Sequence, residues 1–228
     1  MAENSKLAAD PTLDEIRAFL APYIAREAAF DGWTKEAVIN AARAENVDEE
    51  LTILAFNDDG KRIDPMDLID AWIQSIDIGM ERLLPADKLA TMKIRERIRQ
   101  LVETRIDTLA ENRESLRRAL AIEAMPLNAP RALKWGWRSA DIMWRLAGDT
   151  ATDYNHYTKR TMLGSIYAAT LAVLINDDSE NQAETRAFLG RRIDNVMSFE
   201  KAKFQFLART EHMPSLSRFI GRLRYPGV

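Results

Sequence analysis

Between Asp87 and Ala124, the side chains Ile94, Ile98, Val102, Ile106, Leu109, Leu116 and Leu120 return at intervals of three, four and their sums. An α-helix places such positions on one face, so the segment reads as one long amphipathic helix with a break near Asn112. The same period recurs elsewhere. Ile16, Phe19, Leu20, Tyr23 and Ile24 follow Thr12, which has Glu15 at capping-box spacing, and Leu68, Ile69, Trp72, Ile73 and Ile76 follow Asp64-Pro65. Alanine outnumbers valine 32 to six, and nine glycines and eight prolines are scattered singly, which favours helix over a sandwich, a barrel or disorder. With 228 residues, 46% of them hydrophobic, the expectation is one all-α unit with a small N-terminal subdomain.

Several chemistries are excluded by what is missing. No cysteine is present, so there is no disulfide, thiolate metal site, iron–sulfur cluster or cysteine nucleophile. Two histidines leave little room for zinc or acid–base constellations, and neither metal nor cofactor is expected. Met1 to Pro11 lacks an apolar stretch and carries Glu3 and Asp10, which sets the expectation of no secretory leader and a cytoplasmic location. The longest uncharged run, Thr161 to Asn176, holds 16 residues and is short of the ~20 needed to span a bilayer. It reads as a central buried helix.

Three short helices in the first 55 residues resemble the helix-turn-helix module that opens TetR-type regulators, ahead of a larger helical body. The charge of the module decides against DNA. Between Glu45 and Asp70, nine acidic residues face only Lys61 and Arg62, a net charge of −7 where phosphate binding needs cations. No nucleic-acid partner is expected. A TetR-type regulator with a lipid or quinone ligand is the alternative, and a basic surface from the first helix or from a dimer partner would be needed to rescue it.

The most distinctive stretch runs from Trp144 to Arg160: Ala147-Gly148-Asp149-Thr150-Ala151-Thr152-Asp153-Tyr154-Asn155-His156-Tyr157-Thr158-Lys159-Arg160 lies within it. Phe30-Asp31-Gly32-Trp33-Thr34 and Met125-Pro126-Leu127-Asn128-Ala129-Pro130 accompany it. Over about residues 12 to 200 the chain closely resembles the ubiquinone-biosynthesis accessory lipid-binding family, the ninth of the coenzyme Q proteins. The resemblance implies a TetR-like all-α fold, with a degenerate helix-turn-helix and a helical body enclosing a lipid pocket. It implies a non-catalytic role: binding phospholipid or isoprenoid quinone and presenting ubiquinone precursors to the di-iron demethoxyubiquinone hydroxylase.

The resemblance also assigns residues. Met162, Leu163, Ile166, Tyr167 and Leu171 are apolar nearly all round their helix, as a wall of either a core or a cavity must be, and the family favours the cavity. Arg160, just before the apolar run, would hold a phosphate headgroup bidentately; an ion pair with Asp149 or Asp153 is the competing reading. Asp141, Met143, Trp144, Asp149, Asp153, His156 and Tyr157 match the patch with which the family docks the hydroxylase, aromatic anchors ringed by charge. Family members commonly carry tryptophan where this chain has His156, a smaller and titratable anchor.

At the C-terminal end the chain turns basic. Leu216, Phe219, Ile220 and Leu223 stand at i, i+3, i+4 and i+7, with Arg218, Arg222 and Arg224 elsewhere on the same helix. Such a stripe suits an anionic membrane surface and equally suits packing on its own domain or on a second copy; the family resemblance favours the membrane. The expected organisation is a helix-turn-helix-like subdomain over 12–60, a lipid-binding body over 61–207 and a membrane-contact helix over 208–228. A homodimer peripheral to the inner membrane of a bacterium completes the expectation.

Overall fold

The computed structural model describes residues 7–8, 10–57, 62–150, 152 and 154–210; the side chains of Tyr154 and of residues 197–210 are outside the description. All the regular structure among the described residues is helical. Ten α-helices follow one another: α1 (Leu13–Asp31), α2 (Lys35–Ala44), α3 (Glu49–Ala55), α4 (Pro65–Leu83), α5 (Ala86–Ala90), α6 (Ile94–Ala110), α7 (Arg113–Glu123), α8 (Ala129–Leu146), α9 (Tyr154–Leu174) and α10 (Ala183–Thr210). The chain forms one compact unit through Leu189 and a second from Gly190 onward.

Local chemistry sets the helix starts. Thr12 and Glu15 close a reciprocal capping box on α1, with Glu15 Oε2 accepting from the Thr12 amide at 2.8 Å. Thr34 caps α2, Asp48 caps α3 by accepting the Leu51 amide at 2.8 Å, and Asp64 caps α4 ahead of Pro65, whose missing N–H is one that the first turn leaves unpaired anyway. Pro130 occupies the same kind of position in α8, and that helix begins at Ala129.

The long periodic segment divides twice. Its first turn is the separate five-residue α5, and Glu111 and Asn112 separate α6 from α7, with Asn112 leaving helical geometry at φ −126°, ψ 47°. After α9, Asp177 gathers the next turn. Its carboxylate accepts from the amides of Ser179 and Thr185 and from both hydroxyls, which hold it well below its ordinary pKa although burial works the other way. A 3-10 turn over Glu180–Gln182 then leads into α10, which begins at Ala183.

The small N-terminal helices are fused to the body. α1 packs on α2, α3, α4 and α7, and no compact boundary falls near residue 60. Trp33, 2% exposed, follows the left-handed Gly32 (φ 72°). Its indole donates to the Ser115 carbonyl on α7 at 3.1 Å and lies 5.4 Å from the Trp72 ring on α4. One correction concerns α9: Thr161, Ser165, Ala168, Ala169 and Ala172 are exposed, so the uncharged helix is buried on one side only. Small side chains leave its open face neither polar nor greasy enough to show a period.

Candidate functional site

Helices α4, α6, α7, α8 and α9 line a partly open cavity of about 590 Å³, within the range of small-molecule sites. Ile69, Trp72 and Ile73 reach it from α4, Leu109 from α6, Leu116, Ala119 and Leu120 from α7, Trp135 and Trp137 from α8, and Leu171 from α9. Gly136 on α8 and Gly164 on α9 present backbone where the two helices pack, and a Cβ on Gly164 would come within 3.8 Å of the Gly136 carbonyl. The neighbouring surface is apolar: Leu133, on the cavity wall, is 75% exposed, and Leu127, in the turn before α8, is 93% exposed.

One end of the wall is polar. Arg105 on α6, 1% exposed, donates from Nε to the Tyr167 hydroxyl at 3.0 Å and from Nη2 to Ser139 Oγ at 3.1 Å, and it is ion-paired with Asp77 on α4. Its guanidinium stands 5.1 Å from the Tyr167 ring centroid. Arg138 Nε adds a 3.3 Å bond to the other Asp77 oxygen. Burial raises the Tyr167 phenol above its ordinary pKa even with Arg105 beside it, so it stays protonated at neutral pH. Glu123, the last residue of α7, also lines the cavity, and burial raises its carboxyl to about 7.

The second cluster grows from the C-terminus of α8. Gly148 takes φ 90°, and the amides of Gly148 and Asp149 return to the carbonyls of Arg145 and Trp144, both at 2.9 Å, a Schellman closure. That turn presents the Asp149 carboxylate to α9, where Lys159 Nζ reaches it at 2.7 Å and Arg160 Nη1 at 3.1 Å. Burial alone would raise the Asp149 carboxyl; the bonds from Lys159 and Arg160 outweigh it and hold it below its ordinary value. Arg160 Nε also donates to Asp141 on α8, and Arg145 Nη2 binds the other Asp141 oxygen at 2.7 Å.

These contacts redraw the residue assignments. Arg160 lines the cavity but is 2% exposed, and its guanidinium is shared between Asp141 and Asp149. The ion-pair reading therefore describes its contacts, with Asp141 beside Asp149; Asp153 lies outside the described residues. Tyr167 and Leu171 reach the cavity, whereas Met162, Leu163 and Ile166 are not on its wall, and Leu163 packs into the core at 3% exposure. Met143 is a correction to the surface patch: it is fully buried, one turn beyond Ser139 on the inner face of α8. Asp141 and Asp149 face cations of their own chain.

What the patch does offer is aromatic. Trp137, His156 and Tyr157 stand with ring centroids 5.1 to 6.3 Å apart, and Tyr157 is 61% exposed. Trp144 is half-buried, its indole donating to the Lys159 carbonyl at 3.0 Å. Arg105, Asp77, Ser139 and Glu123 have no place in the residue assignments made from sequence. A signal existed: Arg105 falls in register with Ile98, Leu101, Val102 and Leu109, and Asp77 with Ile69, Ile73 and Met80, charges standing in apolar stripes. The membrane-contact residues Leu216, Arg218, Phe219, Ile220, Arg222 and Leu223 lie outside the described residues.

Among the described residues no helix is long and apolar enough to cross a membrane, and no group of three or more histidine, aspartate or glutamate side chains could hold a metal ion. Comparison with a solved TetR transcriptional regulator from Nitrosomonas europaea gives a TM-score of 0.60 at 24% identity, covering 78% of this chain and 95% of that one, and establishes the TetR-like fold. The model of the COQ9 family matches residues 129–200, which span α8, the Schellman turn, α9 and part of α10. The human mitochondrial ubiquinone biosynthesis protein COQ9 is 32% identical over 174 residues, covering 73% of this chain and 53% of its own length. The corresponding protein of Rattus norvegicus is 31% identical over 169 residues, covering 73% and 54%. The chain thus spans about half the length of the curated relatives it matches. Taken with the TetR-like helical body and the motif around Gly148, these matches show that the chain belongs to the COQ9 family.

Proposed function

We propose that this chain is a lipid-binding accessory protein of ubiquinone biosynthesis, one that holds phospholipid or a prenylated quinone precursor without transforming it. The observation that carries the reading is the partly open cavity of about 590 Å³, apolar over most of its wall and polar at one end, lined by five helices. The names of the relatives place them in ubiquinone biosynthesis and in mitochondria. Handing the intermediate to the di-iron demethoxyubiquinone hydroxylase is the step such a carrier serves, and the exposed Tyr157 beside Trp137 and His156 supplies the aromatic anchor for docking. The carrier acts as a homodimer at a membrane surface, reached through the basic C-terminal stripe.

The regulator reading has the structural likeness in its favour, and α3, which stands where that module reads DNA, opens with Asp48, Glu49 and Glu50. Three carboxylates there repel phosphate. Organic extraction of the purified chain followed by mass spectrometry decides the matter. Co-purifying phospholipid or prenylated quinone is the expected result, and its absence from chain purified out of quinone-making cells rejects the proposal.

A further inference from the structure

Three charged residues line the cavity, and two of them are already engaged. Arg105 binds Asp77, Tyr167 and Ser139, and Arg160 lies between Asp141 and Asp149. Glu123 differs. Among the described residues it has no hydrogen-bond or ion-pair partner, although it is half-buried against an apolar wall. It also ends α7, where the partial negative charge of the helix terminus disfavours a carboxylate.

The surroundings supply no relief. The cavity-facing residues of α4 and α8 include no titratable side chain, and those of α6 and α9 present only Arg105, Arg160 and the protonated Tyr167, with Asp77 behind Arg105. Desolvation accordingly favours the neutral acid, in line with the carboxyl standing at about 7. A neutral carboxyl donates one hydrogen bond and accepts others, so it can serve either a carbonyl or a hydroxyl. A phosphate has the opposite fortune: it would leave water to meet two cations already neutralised and an acid that ionises poorly.

We propose that Glu123 determines the specificity of the cavity, selecting an apolar molecule whose end group is a neutral hydroxyl or carbonyl and excluding an anionic headgroup. The proposal rests on the cavity being a lipid site and names which end group it takes. Where phospholipid binds, its headgroup stays outside the cavity while the tail enters.

The test uses three probes with one tail: 4-heptylphenol, heptylbenzene and 4-heptylphenyl phosphate. The full chain is titrated at pH 6 with tryptophan emission as the readout, since Trp72, Trp135 and Trp137 line the wall. The expected result is heptylphenol binding about tenfold more tightly than the phosphate and than heptylbenzene. Glu123→Gln, which keeps a neutral donor and acceptor, retains that order; Glu123→Leu binds heptylphenol and heptylbenzene alike. Equal or tighter binding of the phosphate by the unaltered chain overturns the proposal, as does a Leu variant that still prefers the phenol. If all three probes bind without preference, the lipid cavity stands and the role of Glu123 fails; if none binds, both fail together.

Discussion

Arg105 illustrates how one side chain serves both the core and the cavity. It is fully enclosed, and its guanidinium joins α4, α8 and α9 through Asp77, Ser139 and Tyr167. Arg105→Leu strands Asp77 with only the longer bonds from Arg138 and Ser139, so about 3–5 kcal/mol of stability should be lost. Urea unfolding measures this, and the double replacement with Asp77→Leu should recover part of the loss, because no charge is then left buried alone. Such residues were hard to assign from sequence for a physical reason. A charge in an apolar stripe reads as a lapse in the pattern until its partner is known, and Asp77 lies 28 positions from Arg105.

Gly148 matters at the scale of the element. Its φ of 90° closes α8, and a Cβ there would come within 3.2 Å of Arg97 Nη1, whose own bond to the Ala147 carbonyl secures the same turn at 2.9 Å. Gly148→Ala should cost about 1–3 kcal/mol in chemical denaturation. Because the turn aims Asp149 at Lys159 and Arg160, the variant should also lose order at the start of α9, seen as faster amide exchange there. Caps and turns were the most legible elements: Thr12 with Glu15, Asp64-Pro65 and Gly148 announce themselves because few residue types satisfy a helix end. Faces were less legible. Met143 belongs to a patch that also holds the exposed Tyr157, yet its register with Trp135 and Ser139 turns it inward, and the small residues of α9 hide which side meets solvent.

At the scale of the whole molecule, charge is unevenly shared along the chain. Residues 45 to 70 carry −7, while from Phe199 onward six lysines and arginines outweigh Glu200 and Glu211, so the overall −3 conceals an acidic front and a basic end. The C-terminal stripe should therefore carry liposome binding. Changing Phe219 and Ile220 together to serine is expected to abolish flotation with anionic vesicles while leaving the thermal midpoint in place; a large drop in that midpoint would mean that the stripe is packed inside the protein. The all-α class was readable from period and composition, since the 3.6-residue repeat survives substitution of individual side chains, whereas the TetR-like plan came only through the resemblance to a known family. The cavity was not readable, because such a space belongs to the spacing between helices and not to any single one of them.

An apolar space of about 590 Å³ within a fold of this size is also a deficit of cohesion, for its walls lack the neighbours that a filled core would give them. Whatever enters restores those contacts and favours the folded state by mass action. Quality control in a cell acts on the unfolded fraction, so under the carrier function proposed above, copies that have found cargo would outlast those that have not. The standing amount of the protein would then become a record of how much cargo the cell is making.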